Sequence, residues 1–370
     1  MKIFLWILNM LVFPVTLVSG LLLGASMLAP YLHPSLSSWI QILGLAFPIL
    51  FFLNLLWLVY WWVQLKLKLI FPLGMAILSL FHTGKYLQFS GSPESSDPGK
   101  IRVCSVNAQL FGIHQNRWFF DTVTDVLNSK KADIICLQEV SDRKKAGKAP
   151  NIDKMAALLK EKTGFKYMEI FRLSPGRNYG MLILSKFPIK AKGRVEFPGT
   201  TGNMAAFADV IIDNQTIRVY NAHLQSIRFR KTDYDFVSGS EKETNTNIEQ
   251  GKGVLRRMRD AYGKRAEQAD VLSDHIKSST TKNMLVCGDF NDVPLSYAYN
   301  TVAAGLNDAF CEAGSGLERT YLGPFPSFRI DYLLATPSIS FKSYSSSAEI
   351  PCDHKLLWAD FTLLKNPELE

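Results

Sequence analysis

The sequence predicts an α/β (α+β) domain with large β-sheets, preceded by an all-helical transmembrane anchor. Apolar residues are 47% of the 370 positions, yet they crowd into residues 1–82. From Ile101 onward, short apolar runs alternate with segments of helical period, and runs of strands also follow one another directly. Polar residues stand just where those apolar runs end, which suggests side chains converging at one sheet edge.

The anchor reads in three segments. About Ile3 to Leu28 and about Trp39 to Trp62 each exceed the roughly 20 apolar residues a span needs. Leu69 to Phe81 is shorter, is interrupted by Pro72 and Gly74, and is marginal. The first segment is too long for a secretory signal and lacks a small-residue cleavage site. Trp57, Tyr60, Trp61 and Trp62 read as an interfacial aromatic belt. A buried bundle in a soluble protein would not carry two long segments nearly free of charge. Lys2 precedes the first segment, Lys66 and Lys68 follow the second, and the loop "PYLHPSLSS" carries no Lys or Arg. The positive-inside rule then puts the amino terminus in the cytoplasm. With the third segment spanning, the rest of the chain lies on the extracytoplasmic side of a bacterial inner membrane, the side favoured here; with it lying on the surface, the rest is cytoplasmic. Residues 83–100, rich in Gly, Ser and Pro, read as a linker.

The soluble domain spans 101–364, with 365–370 as a tail. "IRVCSVNAQLFG" is a strand leaving Asn107 at its end, and "RWFFDTVTDVLNSKK" has helical spacing. "ADIICLQEV" is a buried strand ending in Gln138 and Glu139, and "IDKMAALLKEKTG" is helical. Strands follow at "FKYMEIF", "YGMLILS", "MAAFADVIID" and "TIRVYNAHL", the last ending at His223. Residues 226–252 are polar and read as a long loop. From Val254, the residues Leu255, Met258, Tyr262, Ala266, Ala269, Leu272 and Ile276 trace one helix face. "NMLVCGDFN", "FRIDYLLAT" and "KLLWADFTLL" supply further strands.

The net charge of +8 fits an anionic partner, and equally an excess that serves only solubility. Five cysteines with no CxxC suggest neither a disulfide frame nor a zinc site. Cys104, Cys136 and Cys287 sit inside apolar runs and read as small hydrophobes.

The polar strand ends are Asn107, Glu139, His223, Asp289, Asn291, Asp331, Asp353 and His354. One Asx residue after a strand is most simply a turn former, and one histidine is most simply structural. Together they supply carboxylates for a hard cation, groups to activate and hold a water, and an imidazole for departing oxygen.

In chain order, "SVNAQLF", "ICLQEV", "GRNYGMLILSKFPI", "YNAHLQS", "CGDFND", "RIDYLLAT" and "CDHKLL" resemble the endonuclease/exonuclease/phosphatase family, over 101–364 and none of the anchor. The resemblance implies a four-layer sandwich, two packed β-sheets flanked by helices, with the site at one edge. It implies metal-dependent phosphoester hydrolysis by water attack on phosphorus. Glu139 would be the main Mg²⁺ ligand (Mn²⁺ as a substitute), with Asn107 beside it and Asp353 as a further ligand or support. Asp289 would orient or deprotonate the water, and Asn291 would contact the water or the phosphate. His354 would bind the phosphate or act as base, with Asp331 holding its imidazole, and His223 would assist the leaving oxygen. Arg177, Asn178 and Tyr179 fall where the family contributes phosphate-side contacts. Cys352 and Leu356 replace the Ser and Pro usual around the final Asp-His, and neither carries chemistry in this scheme. Cys352 is not a nucleophile, because nothing nearby would lower its pKa.

The implied partners are a phosphate-ester substrate, nucleic acid or phospholipid head group, and a lipid bilayer through residues 1–82; no protein partner is identifiable. Arg228, Arg230, Lys231, Lys252, Arg256, Arg257 and Arg259 would grip a polyanion, or form a solvated face offset by Asp233, Asp235, Glu241 and Glu243. The alternative is a catalytically idle member used as a phosphate-ligand binding or scaffold module; the intact Glu139, His223, Asp289, Asn291 and His354 argue against it. A transport role does not fit, because the apolar segments carry no buried charge.

Overall fold

Apolar residues without charged interruptions fold here into four helices: α1 (Lys2–Ser26), α2 (Ser38–Leu45), α3 (Phe47–Val63) and α4 (Ile70–Thr83). The computed structural model describes residues 2–89, 91, 99–115, 118–141, 151–173, 179–199, 202–227, 229, 233, 244–323 and 328–364. By length and composition α1 is able to cross a membrane, and α2 and α3 pass the same test only when taken together across a 62° bend, as a broken span or a re-entrant loop. The expected single helix over 39–62 is therefore broken. Pro48 starts α3, where its missing N–H costs nothing, and the chain turns at Ala46. A Cβ on Gly44 would meet Leu295 O at 2.4 Å and Ala29 Cβ at 2.6 Å, so only glycine lets α2 approach this closely.

The marginal third segment forms α4 despite Pro72, which lies in the first turn, where N–H groups have no helical partner. Its carbonyl accepts from buried Asn54 Nδ2 at 2.9 Å. Phe71 packs on Gly20, Met75 on Gly24, and Ser79 lies against Met27, so α4 runs parallel to α1 and ends beside its carboxyl end. The aromatic belt needs one correction. Trp61 is buried, its Nε1 donating to Thr16 Oγ1 at 3.0 Å; Trp62 is the exposed member. The outer surface of the four helices is apolar, with Trp6, Leu11, Val18, Phe52, Leu56, Ile77 and Leu80 all exposed.

The rest of the chain runs β1 (Leu87–Gln88), β2 (Ile101–Asn107), α5 (Phe120–Ser129), β3 (Ile134–Ser141), α6 (Ile152–Thr163), β4 (Tyr167–Arg172), β5 (Tyr179–Ser185), β6 (Ile189–Val195), β7 (Met204–Ile212) and β8 (Gln215–His223). It continues with α7 (Thr244–Lys277), β9 (Asn283–Asp289), α8 (Tyr297–Val302), β10 (Asn307–Asp308), α9 (Ala309–Ala313), β11 (Gly316–Leu317), β12 (Asp331–Ala335), β13 (Ile339–Ser347) and β14 (Leu356–Leu363). Two mixed six-stranded sheets result, ordered β13-β14-β2-β3-β5-β4 and β10-β12-β9-β8-β7-β6. Each holds one parallel pair, β2 with β3 and β8 with β9.

The central strands look uniformly apolar because both their faces are covered. Ile134 and Cys136 of β3 face the other sheet, meeting Val219, Leu285 and Cys287. Ile135 and Leu137 face outward onto Val123, Leu127, Met155 and Leu159 of α5 and α6. On the second sheet Tyr220, Ala222 and Val286 face Ala269, Leu272 and Tyr299 of α7 and α8. Alternation along each strand thus separates the inter-sheet core from the two helix-facing cores.

Helix α7 begins at Thr244, ten positions before the apolar face that announced it, so part of the expected loop 226–252 is helical. Residues 87–88, inside the stretch read as a linker, pair with Leu317 and Gly316. The helical region also docks directly on the sheet domain. Gln41 Oε1 accepts from Tyr297 N at 3.1 Å, and Arg329 Nη2 donates to Lys85 O at 2.9 Å. Ile42 and Leu45 pack against Val254, Met258 and Tyr262.

Candidate active site

Strand register assembles the site. His223 ends β8 opposite Asp289, which ends β9, and Asp289 stands opposite Asp331, which opens β12. Three adjacent strands thus place an imidazole and two carboxylates in one row. The other sheet delivers Asn107 from the end of β2 and Glu139 from β3, where the register with β5 shifts between Leu137 and Val140. Asp353 and His354 come from the segment just before β14.

The row depends on backbone that resists substitution. Gly288 has φ +142, and a Cβ there would lie 1.9 Å from Ala222 O. Glu139 and Asn291 hold φ of 50 and 53, a left-handed conformation that costs a non-glycine residue about 1 kcal/mol or more. Such strain persists only where the surroundings enforce it, and here it sits on two site residues.

Asp289 is the meeting point. Its Oδ2 accepts from Asn107 Nδ2 at 3.1 Å and from Asn291 Nδ2 at 3.0 Å, and its Oδ1 accepts from Asn291 N at 2.8 Å. His223 Nε2 and His354 Nε2 stand 3.7 and 3.8 Å from Oδ2. His223 Nε2 is also 3.6 Å from Glu139 Oε1. Asp331 grips His354 Nδ1 with both oxygens, at 3.0 and 3.1 Å. Phe290 turns away into the helix-facing core against Tyr332, so alternation sends Asp289 and Asn291 to the site and the residue between them inward.

Burial pushes the Asp289 carboxyl above its ordinary range, with the two histidines opposing. Burial pulls His354 down, but Asp331 and Asp289 outweigh it and hold the imidazole well above its usual value. Asp353 is raised by burial, and Glu139 adds repulsion. Cys352 is pushed up to about 12, chiefly by burial, which removes thiolate character. Its Sγ donates to His354 O at 2.9 Å, a backbone contact a serine would make equally well.

These residues line a cavity of about 240 Å³ with Gln109, Tyr321 and Phe328. Asn107, Glu139, His223, Asp289, Asn291, Asp353 and His354 all face it. Asp331 stands behind His354, and Tyr179, paired with Ser141 at the start of β5, is not among the described lining residues. Arg177 and Asn178 lie outside the described residues. Among the described residues, Asp289, Asp331 and His354 form a buried cluster of metal-capable atoms, all within 4.8 Å of one another. That differs from the expected ligand set, although both oxygens of Asp331 are turned to the His354 imidazole. Glu139 and Asp353 repel each other across the cavity, and Asp353 Oδ1 is buried with no hydrogen-bond partner. Two carboxylates on one cavity, with an oxygen whose nearest cationic partner among the described residues is His354 Nε2 at 3.9 Å and which takes no hydrogen bond, fit a hard divalent cation.

Sequence reasoning missed Arg265 and Asp292, which also line the cavity. Their ion pair is 2.8 Å long with both side chains buried. The sequence signals were an arginine next to the apolar face of α7 and the final Asp of "CGDFND", to which no role was given.

Two mixed sheets with acids, amides and imidazoles at one shared edge define a phosphoesterase-type fold. The profile described as "Endonuclease/Exonuclease/phosphatase family" matches residues 104–353. The chain belongs to the endonuclease/exonuclease/phosphatase family. A second profile, "Domain of unknown function (DUF8431)", matches residues 3–86. A search of curated proteins finds no match. Similar solved structures include an endonuclease/exonuclease/phosphatase from Bacteroides vulgatus (TM-score 0.52, 16% identity, 71% of this chain and 99% of that one). They also include the human Nocturnin catalytic domain with bound sulfate (0.51, 18%, 72% and 94%) and D. rerio TDP2 complexed with a single-strand DNA product (0.50, 16%, 72% and 100%). At these identities the likeness is one of fold.

Proposed function

We propose that the protein is a membrane-anchored, divalent-metal-dependent phosphoester hydrolase. The observation that carries this reading is the convergence on Asp289 Oδ2 of two amides and two imidazoles from both sheets. Glu139 and Asp353, with Asn107 beside them, would hold Mg²⁺, or Mn²⁺ in its place. The ion would supply charge to polarise a phosphoryl oxygen.

The chain's own residues supply the rest. Asp289 takes a proton from the attacking water, which Asn291 holds in line. The Asp331-supported imidazolium of His354 donates Nε2–H to a phosphoryl oxygen. The water oxygen bonds to phosphorus, the bond to the leaving oxygen breaks, and His223 protonates that oxygen.

Membrane anchoring is supported by the exposed apolar surface of the helical region, far larger than a soluble monomer carries. α4 ends beside the carboxyl end of α1, so the sheet domain sits at the end of the bundle away from Lys2. With Lys2 cytoplasmic, the domain is extracytoplasmic.

The test is hydrolysis of bis(p-nitrophenyl) phosphate by the detergent-solubilised protein. Activity should vanish with chelator and return with Mg²⁺. Hydrolysis that persists in chelator overturns the metal role.

A further inference from the structure

The cavity wall is not built by the sheet domain alone. Leu45, the last residue of α2, lines it together with Ile227, Phe229 and Tyr262. These four belong to one apolar cluster that joins the helical region to α7. The catalytic cavity is therefore lined in part by polar groups, Asp289 and His354 among them, and in part by an apolar stretch that a helix of the anchor helps supply, with the Arg265 guanidinium 5.0 Å from the Tyr262 ring at its margin.

Height along the bundle fixes where that wall lies. The apolar helix α1 ends at Ser26, and Gly44 packs against Ala29, three residues further. Three residues of non-helical chain reach at most about 11 Å, so the Leu45 wall stands close to the end of α1, near the head-group layer if α1 spans. Trp39, on the same short helix, is exposed, and the Arg259 guanidinium lies 5.8 Å from its ring centroid. An exposed tryptophan beside an arginine suits a lipid head-group layer.

We propose that the site takes its phosphoester from a membrane lipid: the phosphate sits at His354 and Asn291, and the apolar portion next to it lies on the Leu45–Tyr262 wall, entering laterally from the leaflet. This rests on the hydrolase reading above and names its substrate class. A single-stranded nucleic acid can stack its bases on Phe229 and Tyr262 but has no use for the aliphatic Leu45 and Ile227 beside them.

The experiment uses the full-length protein in vesicles of phosphatidylethanolamine and phosphatidylglycerol with Mg²⁺. Release of water-soluble phosphate products is compared with cleavage of a single-stranded oligonucleotide and of bis(p-nitrophenyl) phosphate. Lipid turnover should exceed oligonucleotide turnover by about tenfold or more at equal phosphate. Leu45→Gln should lower the ratio of lipid to chromogenic-diester turnover by about tenfold, whereas Leu45→Met should hold it within about twofold. Preference for the oligonucleotide, or an unchanged ratio in Leu45→Gln, overturns the proposal while leaving the hydrolase intact. Loss of chromogenic-diester cleavage in the wild type would instead bring down the hydrolase reading.

Discussion

Arg265 and Asp292 face each other across the back of the cavity, and replacing Arg265 with methionine gives a worked magnitude. The pair is 2.8 Å apart, and the side chains are 1% and 3% exposed. At an effective dielectric constant of about 20, two charges at 2.8 Å attract by about 6 kcal/mol, offset in part by the desolvation of both ions. Arg265 Nε also donates to Gln225 O at 2.9 Å, and that contact goes as well. Methionine keeps the volume but leaves Asp292 buried without its cation, so the cost at pH 7 should be about 3–5 kcal/mol. The sign with pH follows from Asp292, whose carboxyl burial already raises despite Arg265. Loss of the arginine raises it further, so the variant's deficit shrinks as pH falls and the carboxyl takes up a proton. Urea denaturation of the solubilised protein at pH 7 and pH 5 measures both. The double variant Arg265→Met, Asp292→Leu should recover most of the loss. A deficit under about 1 kcal/mol, equal at both pH values, would refute the buried-pair reasoning.

Three further outcomes are expected. Gly288→Ala should prevent accumulation of folded protein, because its Cβ would overlap Ala222 O at 1.9 Å; a normal circular dichroism spectrum and melting curve would contradict this. Asp360 is held below the ordinary carboxylate range: burial raises it, but hydrogen bonds from Arg102, Lys100 and Ser343 outweigh that. Its contribution is therefore present above the unfolded value of about 3.9 and lost as pH falls through the lower folded value, so Asp360→Asn should flatten the acid limb of a stability profile below about pH 4. Gly44→Val should separate α2 from the sheet domain and cost about 1–3 kcal/mol, read as faster proteolysis between the two regions.

Much of the candidate site was legible because strands buried on both faces carry polar residues only where they must. Asn107, His223 and Asp289 each close such a strand, and the seven segments around these strand ends point to the same family as the profile match. What stayed hidden depends on contacts distant in sequence. Arg265 and Asp292 are 27 positions apart, and Gln41 meets Tyr297 across 256. No local pattern encodes either pair. The early start of α7 was hidden because "TNTNIEQGKG" has no apolar period and two glycines, so the helix is not announced by its own propensity. The break between α2 and α3 did carry a signal in Gly44 and Pro48, masked by continuous hydrophobicity.

The central claim is that Asp289 Oδ2 is the point on which the chemistry turns. The direct measurement is kcat for bis(p-nitrophenyl) phosphate with Mg²⁺, wild type against Asp289→Asn, with the fold checked by its melting curve. Asparagine keeps the size and loses the proton acceptor, so kcat should fall by about 10²–10⁴ in a protein that melts as the wild type does. Wild-type turnover by the folded variant would contradict the account.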